Sequence, residues 1–427
     1  MGGADGVALL MISIHALLPA VARVLPSPSC MLNGNASLDN STTPLPHPCP
    51  LPVGWEVDWS AVNSTALMST NPTGFHPVNH TWGWVTLDWQ ANRQFWLHED
   101  PRKTTCEAAS AQNCAQLKRE GKVRRCTIYH NMELALEWLE SNRKVMDQDH
   151  VDRGWFLRYP NGTVYNDVRQ PPAGAESQPM PWLSQWFIDW RNAEAAAYFV
   201  EAIVNSTFLE GVDGTFTDDS VGVPMEHPTL AKELGVTNQS LLSLQFATQQ
   251  AGNFLAVALA AAGKTCFDCV GGQVSWTHRS ALTGGHGYNQ RPPPRPVAQC
   301  TEWMRNYCAP EMQGRGMFLD WDVNNATHHA QTMAAFLVTR PPVAFIGSYI
   351  MRGPGENGPP HGEAFSPLFL LDVGRPLDLC QEIEPSIFQR KWSKGFARLD
   401  CNTFDATLSF PSVSDGAFAS SHQSVHQ

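Results

Sequence analysis

Basic residues are scarce in this chain. Lys and Arg total 29 against 40 Asp and Glu, a formal net charge of −11, and only 16% of residues are charged. That balance disfavours nucleic acid or an anionic membrane as a partner, since both require a basic surface. Internal repeats at solenoid spacing are missing. The CxxC formed by Cys266 and Cys269 has no second CxxC and no His pair at finger spacing beside it, so separate disulfide partners suit it better than zinc. What is present is tryptophan, 15 among 427 residues, in a chain long enough for one large domain with extensions or two ordinary ones.

The N-terminus holds an apolar run, Val7 to Ala22, that ends in the small-x-small pattern Ala20-Val21-Ala22. This resembles a secretory signal peptide, although Asp5 precedes the run and no Lys or Arg does. Pro19 and the shortness of the run argue against a membrane anchor. Sequons begin at Asn35, Asn40, Asn63, Asn79, Asn161, Asn205, Asn238 and Asn325, a density that suits a glycosylated protein. The 11 Cys fit disulfides in an oxidising compartment with one thiol left over. The expectation is a cleaved signal over 1–22, a flexible Pro/Ser/Asn-rich leader over 23–54, a folded region over 55–411 and a disordered tail over 412–427. Such a chain belongs outside the cell or in the endolysosomal lumen, with no lasting membrane association.

Strand-like and helix-like segments alternate through the folded region, which predicts α/β architecture. Strands are expected at Trp84–Trp89, Arg125–His130, Trp186–Trp190, Val212–Asp218, Thr265–Val270, Gly316–Trp321 and Val343–Tyr349. Asn192 is a suitable N-cap for a helix with Ala195, Phe199, Ala202 and Ile203 on one face. A long Ala/Leu-rich helix spans Ser240 to Ala262 and stops at Gly263. The fold these imply is a (β/α)8 TIM-type barrel with a short C-terminal β extension. An eighth strand is sought at Glu56–Trp59 or near Ile387–Trp392.

An apolar-apolar-Asp-Trp ending recurs at Asp88-Trp89, Asp189-Trp190 and Asp320-Trp321, and Asp218 with Asp219 closes a further strand. Side chains alternate along a strand, so Trp84, Thr86 and Asp88 share a face, as do Gly214, Phe216 and Asp218, and Phe318, Asp320 and Asp322. Asp219 then points away and suits capping the next helix. A lone strand-end Asp serves as a cap or ion-pair partner. Several on different strands, each near a tryptophan, suit a site where carboxyl groups hold different protonation states and indoles stack on sugar rings.

The stretch Phe187-Ile-Asp-Trp-Arg-Asn-Ala-Glu-Ala through Gly211-Val-Asp-Gly-Thr-Phe-Thr-Asp218 resembles family 31 glycoside hydrolases and related glycosidase-like barrels. There a D-F/W-T-N-P-E-A segment precedes a helix and then G-V-D-G-F-W-x-D. The resemblance implies that Asp218 is the nucleophile and that the general acid is Asp320 or Asp322. This chain continues with Asp219-Ser-Val-Gly222 where those enzymes have M-N-E. Asp88, Trp89, His130, Asn131, Asp189, Trp190 and Trp321 are the expected substrate contacts, with a carbohydrate as substrate and no cofactor required. One rival reading is a metal-dependent hydrolase using His328, His329, Asp320 and Asp322, though adjacent histidines on a helix point about 100° apart. Another is an inactive sugar-binding protein on the same scaffold.

Overall fold

The computed structural model describes residues 59, 65–69, 74–75, 81–92, 106–166, 184–219, 230–267, 276–279, 297–310, 312, 316–320, 329–351 and 366–411. The expected signal, leader and tail lie outside them, apart from the end of the folded region at 411.

Eight strands form one parallel sheet: β1 (Thr65–Ser69), β2 (Trp82–Leu87), β3 (Val123–Asn131), β6 (Gly214–Asp218), β7 (Thr265–Phe267), β8 (Trp276–Arg279), β9 (Gly316–Asp320) and β10 (Ala344–Met351). Their order is β7-β6-β3-β2-β1-β10-β9-β8. The first and last strands of this sheet in chain order, β1 and β10, are therefore neighbours, paired from Thr65 against Ile346 onwards. No ladder joins β7 to β8 among the described residues.

Two of these strands, β1 and β8, were not expected from sequence. They have only five and four residues, with Thr, Ser, His and Arg breaking the apolar pattern. Of the two segments considered for the eighth strand, one is placed elsewhere and the other lies mostly outside the described residues. Ile387–Trp392 does form a strand, β12, but in a separate antiparallel sheet. Trp59 is outside any strand, and 56–58 lie outside the described residues.

A second correction concerns Trp186–Trp190. Only Gln185–Phe187 is extended there (β5), and it pairs antiparallel with β4 (Leu134–Leu136) in a small sheet of its own. The cause lies at the end of β3. Asn131 accepts from the backbone N–H groups of Glu133 at 2.8 Å and Leu134 at 2.7 Å. This side-chain turn directs the chain out of the parallel sheet into β4.

Helices alternate with these strands along the chain. α1 (Cys106–Arg119) lies between β2 and β3, and the short α2 (Glu140–Arg143) and α3 (Gln148–Asp152) follow β4. α4 (Ala193–Ser206) starts as expected: Asn192 accepts from Glu194 N at 3.0 Å and Ala195 N at 3.1 Å. It buries Ala195, Phe199 and Ile203. After the single turn α5 (Leu230–Leu234), the long α6 (Asn238–Ala261) ends before Gly263, whose φ of +69° suits glycine. α7 (Val297–Cys308) and α8 (His329–Thr339) complete the set.

A four-stranded antiparallel sheet, β11 (Gln381–Glu384), β12, β13 (Gly395–Asp400) and β14 (Asp405–Ser409), closes the described chain. It packs on α8 through Phe388, Trp392, Ala397 and Leu399. Disulfides Cys300–Cys401 and Cys308–Cys380 tie α7 to this sheet region, and Cys114–Cys126 ties α1 to β3. Cys266 is also disulfide-bonded, so it holds no thiolate for zinc, while Cys106 is a free, buried thiol. These disulfides fit an oxidising compartment. Among the described residues no helix is long and apolar enough to cross a membrane.

Strand β6 depends on a close approach. Gly214 stands opposite Thr265 of β7, and a methyl group on Gly214 would overlap the Thr265 carbonyl. Gly214→Ala should therefore force β6 and β7 apart and cost about 3 kcal/mol. Urea unfolding of the two proteins checks this; equal midpoints would show that the ladder tolerates the group.

Candidate active site

The register of β2, β3 and β6 sets the site. Thr86 pairs with Thr127, Tyr129 with Phe216, and Asn131 with Asp218. Thr127, Tyr129 and Asn131 share a face of β3 by pleat alternation. At the foot of that face Trp84 donates to Thr127 Oγ1 at 3.0 Å, and the Thr86 and Thr127 hydroxyls meet at 2.8 Å. Tyr129 packs on Phe216 with ring centroids 5.8 Å apart, and Trp84 meets Phe345 of β10 at 5.0 Å across β1. Polar groups begin above this aromatic floor.

Tyr129 is only 5% exposed. Its hydroxyl lies 3.2 Å from Asp218 Oδ2 and 2.9 Å from the Asn131 amide nitrogen. The same amide nitrogen donates to Asp219 Oδ2 at 2.6 Å, and the Asp219 backbone N–H donates to Asp218 Oδ1 at 3.0 Å. Burial raises the Tyr129 hydroxyl well above its ordinary pKa, and the charges of Asp218, Asp219 and Asp88 raise it further. Three carboxylates from two strand ends thus act on one phenol. Asp88 follows β2 directly and is buried; its side chain also accepts from Gln90 N at 3.0 Å. Trp89, beside it, is half-buried against Trp138 with centroids 5.0 Å apart.

Of the residues singled out in the sequence, the structure brings Asp88, Asn131 and Asp218 together around Tyr129, while Trp89 follows Asp88 and packs on Trp138. It separates three others. His130 lies on the opposite face of β3 from Asn131, because neighbouring residues on a strand cannot share a face; it is 1% exposed beneath α1 and α4. Asp189 follows the antiparallel β5 and makes a bidentate pair with Arg191, at 2.8 Å to both Nε and Nη2. Trp190 is wholly buried and donates to the Met132 carbonyl, a packing role. Asp320 ends β9, and its backbone belongs to the row Asp320, Gly347, Ala66, Trp84 across four strands. Asp322, Trp321 and His328 lie outside the described residues; His329 opens α8.

Asp219 also differs from expectation. Its φ is +51°, a left-handed conformation that few non-glycine residues adopt, and its carboxylate holds Asn131. Residues 220–229, where the helix expected after Asp219 would begin, lie outside the described residues. Tyr129 was missed altogether. The signal was available: it stands two residues before Asn131, hence on the same face.

A scan against protein-family models finds no match, and a search of curated proteins finds none either. Among solved structures the chain is similar to several carbohydrate-active enzymes. A GH31 family sulfoquinovosidase from E. rectale is 11% identical, with 73% of this chain and 47% of that one covered and a TM-score of 0.41. A cycloalternan-degrading enzyme from Trueperella pyogenes is 12% identical, with 74% and 46% covered and a TM-score of 0.38. An α-amylase from Geobacillus thermoleovorans is 7% identical, with 80% and 87% covered and a TM-score of 0.37. The chain spans less than half the length of the first two. At such distances the likeness carries no argument, and the site is read from its own geometry.

Behind β3 lies a second, buried polar group. His130 Nδ1 meets Thr215 Oγ1 at 2.8 Å, and its Nε2 faces Glu107 Oε1 at 3.3 Å and Ser206 Oγ at 3.2 Å. Glu107 also accepts from the backbone N–H and hydroxyl of Ser141, at 2.8 and 2.7 Å. Burial works against its charge, but the His130 hydrogen bond and charge, with Ser141, hold its pKa down at about 2. Glu140 is the converse: burial first, then the charge and hydrogen bond of Glu107, push it up to about 7.

These shifts have opposite signs in stability. Glu107 stabilises the fold above its unfolded pKa of 4.5, and that contribution is lost as pH falls towards about 2. Glu140 binds a proton in the folded state that the unfolded chain has released between 4.5 and about 7, so its contribution declines as pH rises through that window. Urea midpoints measured from pH 4.5 to 8 should fall for the wild type, and Glu140→Gln should flatten the slope. A variant that keeps the full slope would place its origin elsewhere.

Proposed function

We propose that the chain is a secreted glycoside hydrolase of the retaining type, its eight parallel strands closing into a (β/α)8 barrel. One observation carries this reading: Asp218, Asp219 and Asp88 gather with Asn131 around the buried Tyr129 hydroxyl, at the ends of parallel strands. Barrel enzymes hold their reacting groups at that end. Acids so placed are unfavourable for stability, since like charges repel and burial penalises each.

In the proposed reaction an Asp218 oxygen bonds to the anomeric carbon as the glycosidic C–O bond breaks. The leaving oxygen takes a proton from Asp320 or Asp322. The same residue then takes a proton from water, whose oxygen attacks the anomeric carbon and releases Asp218. Asp88 binds substrate hydroxyls, Asn131 holds Tyr129 and Asp219 in place beside them, and Trp89 and Trp321 supply stacking faces. The apolar N-terminal run, the sequons and the disulfides support a lumenal or extracellular site of action.

The test is a panel of activated 2-deoxy-2-fluoro glycosides followed by mass spectrometry of the digested protein. One glycosyl group is expected on the peptide that carries Asp218, and none after Asp218→Asn. Replacing the acid, Asp320→Asn or Asp322→Asn, should slow turnover about 10²–10⁴-fold in whichever variant carries the role. Turnover with an inverted product and no adduct would overturn the retaining mechanism. Binding without turnover in both wild type and Asp218→Asn would make the chain a sugar-binding protein.

A further inference from the structure

We infer that Tyr129 is a positioning residue that keeps Asp218 ionised and fixes its aim. The kinetic part of this inference rests on the role of Asp218 proposed above; the structural part does not.

The argument starts at Asn131, whose amide can face only one way. Its oxygen accepts from two backbone N–H groups, Glu133 at 2.8 Å and Leu134 at 2.7 Å. Backbone nitrogens only donate, so the opposite orientation would set amide N–H groups against them. The Asn131 nitrogen is therefore the atom that faces Tyr129 at 2.9 Å and Asp219 Oδ2 at 2.6 Å. Both of its protons are committed.

That commitment sets the polarity of the phenol. The Tyr129 oxygen accepts from Asn131, and its single proton is directed to Asp218 Oδ2 at 3.2 Å. The chain of donors runs in one sense only, from the Glu133 and Leu134 amides, through Asn131 and Tyr129, into the Asp218 carboxylate. A hydrogen bond given to a carboxylate favours its charged form and lowers its pKa. Burial and three neighbouring carboxylates keep the phenol itself protonated, so the donor is present across the physiological range. Asp218 Oδ1 accepts from Asp219 N at 3.0 Å, a bond that the φ of +51° at Asp219 makes available. The two carboxylate oxygens are thus held by groups on different strands, β3 and the end of β6, which fixes the plane of the carboxylate.

A tyrosine buried only for packing would look similar in a contact survey. The two roles differ in what they do to Asp218. Removing a packing group loosens the fold, whereas removing a directed donor raises the pH at which Asp218 gains its proton.

The experiment is carbon NMR of the full chain labelled at the aspartate carboxyl carbons, with Asp218→Asn used to assign the signal. Tyr129→Phe should raise the Asp218 midpoint by about one pH unit. A replacement that keeps the ring in place, Tyr129→3-fluorotyrosine, has a more acidic phenol and should move the midpoint the other way. If activity is found, the acid limb of kcat/KM should follow the same two displacements, with kcat changing more than KM. An Asp218 midpoint that stays put in both variants overturns the inference. The titration needs no substrate, so it distinguishes this failure from a failure of the glycosidase reading, which the trapping experiment tests alone.

Discussion

Everything at the site depends on the pleat of one strand. β3 lies between β2 and β6, and its alternation sorts Thr127, Tyr129 and Asn131 to one side and Cys126, Ile128 and His130 to the other. Each side then has its own anchor. Cys126 is bonded to Cys114 of α1, and His130 faces Glu107 of the same helix. A slip of one residue in this register would exchange the two sets, putting a neutral aromatic floor under the helices and a histidine among the aspartates. Both faces are therefore fixed by side-chain chemistry as well as by the backbone ladder.

The two faces handle charge differently. Behind β3, Glu107 is matched by His130 and by two donors from Ser141. In front, the carboxylates receive neutral donors: a phenol, an amide and a backbone N–H. Neutral donors orient a carboxylate without cancelling its charge, as a group that must attack carbon requires. Trp82, Trp84, Trp190 and Trp392 are wholly buried, while Trp89 stays half-exposed next to Asp88.

Local signals were the ones legible in the sequence. The cap at Asn192, the glycine stop at Gly263 and the Asp-terminated strands β2, β6 and β9 each depend on neighbours within a few residues. Partnership between strands was not legible. The apolar-Asp-Trp ending of Ile188 to Trp190 looks the same in a hairpin as in a parallel sheet, and only the pairing of β5 with β4 separates them. β1 and β8 escaped because short strands are stabilised by their neighbours and carry little pattern of their own. At the site the acids were found and the phenol was not. A neutral phenol inside a strand reads as core, although the place of Tyr129 two residues before Asn131 puts it on the same face.

One sequon has a bearing on the order of events in biosynthesis. Asn205 is exposed near the end of α4, but the residues that complete its Asn-x-Thr signal are not. The Ser206 hydroxyl points inward to His130, and Thr207 is fully buried with its hydroxyl donating to the Val204 carbonyl at 2.7 Å. An oligosaccharide transferase must reach the threonine as well as the asparagine. Any glycan at this position has to be attached while the nascent chain is still extended, before this helix turn has formed.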